Sequence, residues 1–76
     1  MFHKDIFAAR VKYLRLTANV TQSTVAEHLG VTRTQISDIE NGKTTTSLER
    51  ICALADYFDV SVDFLVGRTA NPKINN

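Results

Sequence analysis

Residues 22–41 read Gln22-Ser23-Thr24-Val25-Ala26-Glu27-His28-Leu29-Gly30-Val31-Thr32-Arg33-Thr34-Gln35-Ile36-Ser37-Asp38-Ile39-Glu40-Asn41, and this stretch decides the fold. Its apolar residues fall at Val25, Ala26, Leu29, Val31, Ile36 and Ile39, a helical spacing broken at Gly30. Glycine leaves a helix readily through positive φ, so the pattern predicts two short helices joined by a tight turn. Thr21 is suited to cap the first of them, with Gln22 at its first helical position. Thr32-Arg33-Thr34-Gln35 fits a capping box for the second. At about 100° per residue, Gln35, Ile36, Ile39 and Glu40 group on one side of that helix. Arg33, Thr34, Ser37, Asp38 and Asn41 form a polar stripe on the other. One side is built to pack and the other to be presented.

Working outward, Phe7, Val11, Leu14 and Ala18 repeat at four, three and four residues, which predicts a first helix from Lys4 to about Ala18. Asn19 is a suitable exit because asparagine tolerates the left-handed conformation. After the polar connection Lys43-Thr44-Thr45-Thr46, the residues Leu48, Ile51, Leu54, Ala55 and Phe58 predict a fourth helix. Either Thr46, with Glu49 three residues on, or Ser47 can cap it, and Thr46 is the preferred reading. Ser61 caps a short fifth helix with Asp63 in its first turn, and Gly67 closes it. The expected fold is all-α, a compact five-helix domain over residues 1–68, followed by a flexible C-terminal tail over 69–76 that holds a proline and little to bury.

Seventy-six residues support one small domain, and no second, ligand-sensing one is expected. Hydrophobic residues at 43% and charged residues at 22% are near the globular norm. No apolar run is long enough for a membrane span, and MFHKDIF lacks the apolar centre of a signal peptide. The single cysteine, Cys52, has no internal partner and is expected to be a small packing residue. These features together point to the cytoplasm. His3 and His28 show no metal-ligand spacing, so no metal, no cofactor and no small-molecule ligand are expected. The net charge is only +1, yet its distribution is uneven. Residues 1–43 carry six basic side chains against four acidic, whereas 44–66 carry one against four. Such a chain can offer one end to phosphates.

Gln22, Val25, Ala26, Gly30, Val31, Ile36 and Ile39, followed by Glu40-Asn41-Gly42-Lys43 and by VSVDFLVG at 60–67, resemble the lambda-repressor-like, Cro-type (XRE-type) helix-turn-helix family. The resemblance runs from about Phe7 to Gly67. It implies that the third helix enters the major groove of double-stranded DNA while the second crosses the backbone. On matching positions it makes Arg33, Thr34, Ser37 and Asp38 the candidate base contacts. Thr21, Gln22, Asn41, Lys43, Thr44 and Thr45 become the candidate phosphate contacts, and Arg15 with Glu40 a structural ion pair. Arg33 suits either a guanine, bonded at O6 and N7, or a phosphate, and Thr34 has a methyl suited to thymine. Asp38 departs from the pattern, since an anion near DNA is repelled unless it accepts from a cytosine amino group.

The family usually pairs through its C-terminal helices, so Phe64 and Val66 are the preferred dimer-interface candidates. Tyr13, Leu16 and Tyr57 are either core, half-exposed or part of such a surface. The implied function is a sequence-specific transcriptional regulator, a repressor acting as a homodimer on a palindromic operator. The alternative is a protein-interaction module of the same fold, antitoxin-like or antirepressor-like. No nucleophile with its base, no paired carboxylates and no phosphate-cradling glycine loop suggest an enzyme.

Overall fold

The computed structural model describes residues 2–73, and five helices occupy most of them. They are α1 (Lys4–Thr17), α2 (Gln22–Leu29), α3 (Arg33–Glu40), α4 (Leu48–Phe58) and α5 (Val62–Leu65). No strand occurs among the described residues.

Four of the five helices begin with a hydroxyl accepting a backbone N–H three residues on. Thr21 accepts from Thr24, Thr32 from Gln35, Ser47 from Arg50 and Ser61 from Phe64. Each bond satisfies a donor that the first helical turn would leave unpaired. At Thr32 the box is complete, because the Gln35 side chain also accepts from the Thr32 N–H at 2.8 Å. For α4 the cap is Ser47, not the expected Thr46. Ser47 stands three residues before the amide it caps, Arg50 N, whereas Thr46 lies one residue outside that reach. Ser47→Ala should therefore cost about 1 kcal/mol and Thr46→Ala nearly nothing in thermal denaturation.

All five helices end alike. The residue that leaves the helix at positive φ is Asn19, Gly30, Gly42, Asp59 or Gly67. The N–H of the next residue then reaches back five positions along the chain: Val20 to Arg15 O, Val31 to Ala26 O, Lys43 to Asp38 O, Val60 to Ala55 O and Arg68 to Asp63 O. This is the Schellman arrangement, and in three cases it turns a valine back toward the bundle. Asn19 and Asp59 manage the left-handed turn because their short polar side chains tolerate it. Gly67 has a second constraint. A Cβ there would lie 3.1 Å from Ile6 Cγ2 and 3.3 Å from His3 Cβ, so the bare backbone lets the entry to α1 close over α5.

The core gathers one side of every helix: Phe7, Val11, Val25, Ala26, Ile36, Ile39, Ile51, Leu54, Ala55, Val60, Leu65 and Val66. Four sequence expectations shift. Ala18 is exposed, because α1 ends at Thr17 and the chain already turns away. Leu48 is exposed, because it sits in the first turn of α4 beyond the reach of the neighbouring helices. Cys52 is exposed rather than packed, since it falls on the outer side of α4 next to the inward Ile51. Gln35 is exposed too, its side chain turned back to its own helix start. Within the expected tail, Thr69 O accepts from Arg10 Nη1 at 2.7 Å and Pro72 O accepts from Ser61 N–H at 2.9 Å. The rest of the expected tail, 74–76, lies outside the described residues.

Candidate nucleic-acid interface

Glu40 ends α3 with its carboxylate turned into the bundle, and it is the one charged residue in the described interior. Burying a carboxylate costs several kcal/mol unless it is paired and fully hydrogen-bonded. Here both oxygens are occupied. Arg15 donates from Nε to Oε2 at 2.6 Å and from Nη2 to Oε1 at 3.0 Å, the planar fork matching the planar carboxylate. Arg15 Nη1 also donates to Val20 O, which ties the pair to the exit of α1. The hydrogen bond to Glu40, more than simple charge attraction, holds the Arg15 guanidinium above its ordinary value against the opposing effect of burial.

The third donor to Glu40 comes from α2. Gln22 Nε2 donates to Oε1 at 3.2 Å, and this fixes which way the amide points. Its oxygen is left facing outward, where Arg33 Nη1 donates to it at 3.3 Å. A chain of polar contacts thus runs Arg15, Glu40, Gln22, Arg33, from the end of α1 to the start of α3. It passes from a buried carboxylate to an exposed guanidinium. Arg33 uses a single nitrogen in this contact, so the rest of its fork is free.

The candidate base contacts share the outer side of α3. Arg33 and Thr34 are exposed, while Ser37 and Asp38 are half-buried. Asn41 Nδ2 lies 3.4 Å from Ser37 Oγ, a long contact that keeps the end of the stripe together. Of the candidate phosphate contacts, Thr21, Lys43, Thr44 and Thr45 are exposed at the two ends of the helix pair. The Thr21 hydroxyl is engaged in its cap and lies 3.0 Å from the Thr24 hydroxyl. Gln22 is half-buried, with its side chain turned to Glu40 and Arg33, so what it presents outward is the first backbone N–H of α2. Between these elements Arg15, Leu16, Asn19, Val20, Thr21, Gln22, Ser23 and Arg33 line an open, shallow depression.

The two dimer-interface candidates are not a free surface. Val66 is only 9% exposed and belongs to the core, because the single turn of α5 directs both Leu65 and Val66 inward. Phe64 is half-buried, and the Arg10 guanidinium lies over its ring at 4.1 Å from the centroid. Arg10 also donates to Phe64 O and Thr69 O, so one side chain clasps α1, α5 and the following segment. Arg10 stands beside the apolar line of α1, and no local pattern marks this role. Nothing local marks the link from Gln22 to Arg33 either, since it depends on how α2 and α3 cross. Tyr13 and Leu16 lie on the outside of α1, at 61% and 58% exposure. Among the described residues no helix is long and apolar enough to cross a membrane, and no three His, Cys, Asp or Glu side chains gather as metal ligands.

Comparison with known proteins bears on the family and the fold. A family model described as helix-turn-helix matches residues 11–65. An HTH-type transcriptional activator, BcrR of Enterococcus faecalis, is 37% identical over 60 residues, covering 79% of this chain and 29% of the relative. The cryptic phage CTXphi transcriptional repressor RstR of Vibrio cholerae is 31% identical over 61 residues, covering 80% of this chain and 54% of the relative. The chain therefore spans less than two thirds of the length of either. Among solved structures, the P22 c2 repressor in complex with a synthetic operator superposes with a TM-score of 0.79 at 23% identity, covering 84% of this chain and 97% of that one. That likeness establishes the five-helix, lambda-repressor-like fold.

Proposed function

The chain belongs to the lambda-repressor-like, XRE-type helix-turn-helix family, and on that premise we propose that it is a sequence-specific, double-stranded DNA-binding regulator of transcription. The observation that carries this is the outer side of α3. Arg33 and Thr34 stand exposed at its N-terminal end, the position from which a recognition helix reaches base edges in the major groove. The start of α2 and the exposed run Lys43–Thr45 flank it on either side, where phosphates are contacted.

In this reading Arg33, Thr34, Ser37 and Asp38 face bases. Thr21, the α2 amide at Gln22, Asn41, Lys43, Thr44 and Thr45 hold the backbone. Arg33 leaves Gln22 or keeps it as a brace while its free nitrogens bond guanine. The protein acts in the cytoplasm as a homodimer on a palindromic operator, its half-sites about 34 Å apart. Occlusion of a promoter would make it a repressor, the role borne by the name of the Vibrio relative, and no enzymatic step is assigned to it.

Selection of bound duplexes from random DNA, followed by gel shifts at stated salt, tests the reading. A recovered palindrome with two half-sites is the expected result. Equal affinity for the recovered site and for random duplex would overturn it.

A further inference from the structure

We propose that the outer side of α1 is a self-complementary surface on which a second copy of this chain docks, helix against helix and antiparallel. Among the described residues the large hydrophobics left exposed are Phe2, Ile6, Tyr13, Leu16 and Leu48. All but Leu48 belong to α1 or to its entry. At about 100° per residue, Ile6, Ala9, Tyr13 and Leu16 fall within roughly 80° of one another. They lie opposite Phe7, Ala8 and Val11, which are buried. The helix is thus apolar on two opposite sides, and this chain fills only one. A continuous exposed apolar stripe of this kind is the mark of an interaction surface.

The charges beside the stripe select the occupant. Asp5 and Lys12 are both exposed and stand seven residues apart on the same flank. A two-fold axis at the level of Ala9 that reverses the helix direction brings Asp5 of each copy opposite Lys12 of the other, twice over. It also sets Ile6 near Tyr13, with the small Ala9 at the crossing where two backbones come closest; Phe2, which precedes the helix, packs instead on Phe7 with 5.5 Å between ring centroids. A parallel pairing would set Tyr13 against Tyr13 and leave Asp5 and Lys12 on opposite sides. The α5 candidates offer less apolar surface, because Val66 is in the core and Phe64 is half-buried under Arg10.

The same axis bears on DNA. The Asp5 flank meets the end of α3, where a Cβ on Gly42 would lie 3.7 Å from Asp5 Oδ1 and 4.0 Å from Ala8 Cβ. An axis of this kind keeps that flank on one side of the pair, so both α3 helices lie on that side. The inference builds on the homodimer reading above, and its test is made without DNA so that the two stand or fall separately.

Sedimentation equilibrium of the full chain measures the association. The expected result is a dimer whose dissociation constant rises about tenfold or more in Tyr13→Lys and in Leu16→Glu, with the thermal midpoint little changed because both side chains are exposed. Asp5→Lys and Lys12→Asp should each weaken the dimer, and the double exchange should restore it. A wild-type chain that stays monomeric up to its solubility limit would overturn the inference. So would a dimer indifferent to Tyr13→Lys, or a double exchange no tighter than the single ones. Gel shifts of the same variants on duplex DNA report the DNA reading independently.

Discussion

Replacing Arg15 with methionine is expected to lower the stability of the domain by about 3–5 kcal/mol, the usual effect of removing one partner of a buried ion pair. The Arg15 and Glu40 side chains are 12% and 2% exposed. Without Arg15, Glu40 keeps only the 3.2 Å bond from Gln22 and is left a buried carboxylate without a charge partner. In a domain of this size the loss corresponds to a fall in Tm on the order of 20 °C, to be read by circular dichroism. A companion variant separates the pair from its burial. Arg15→Met with Glu40→Leu removes both charges at similar volume and should recover most of the loss. A single variant within about 1 kcal/mol of wild type would show that the carboxylate finds water in the native state, contrary to the expectation.

The pair should also confer no pH dependence from its basic side. A folded-state value raised above the ordinary one gives stability that is complete below the unfolded value and is lost only as pH rises through the folded one. For Arg15 that window lies beyond the pH at which such a domain survives, so its contribution stays constant through neutral and moderately alkaline conditions.

The second expected result concerns the proposed reading of DNA. Arg33→Ala should cost about 1–3 kcal/mol of affinity for the selected site and relax the preference at one base pair. Lys43→Ala should weaken binding to all duplexes nearly alike and reduce the salt slope by about one. The contrast follows from chemistry. A guanidinium fork matches guanine O6 and N7 together, while an ammonium acts as a point charge on phosphate. Arg33→Lys is accordingly expected not to rescue specificity. Folding should be unaffected in these variants, because the Arg33 bond to Gln22 is exposed and long at 3.3 Å. Binding of Arg33→Ala to the selected site and to its single-base variants, measured at one salt concentration, decides the matter. Equal losses at every base would reassign Arg33 to phosphate.

The candidate site was legible unevenly. The polar stripe Arg33, Thr34, Ser37, Asp38 and Asn41 follows from helical periodicity alone, since residues on one side of a helix are fixed by 100° steps. The role given to that stripe came from resemblance, as did the pairing of Arg15 with Glu40, which stand 25 positions apart. Phe64 and Val66 were placed by analogy with how relatives pair. The packing of α5 puts one in the core and lays Arg10 over the other.

What the sequence determined by itself is what neighbours in the chain can decide. Thr21, Thr32 and Ser61 mark three helix starts, Asn19, Gly30 and Gly67 three of the five exits, and the apolar spacing gives each helix its inward side. These are interactions within three to six residues, and they need no partner from elsewhere. Only the tertiary structure decided which polar groups are buried and whom they meet. Glu40 reaches Arg15 and Gln22 across 25 and 18 positions, and Arg10 reaches Thr69 across 59. Such contacts form where helices cross, and a crossing depends on the whole core at once. The outer side of α1 shows the same division. Its apolar stripe is written in the spacing of Ile6, Ala9, Tyr13 and Leu16, but its exposure appears only when the other four helices have settled on the opposite side and left it uncovered.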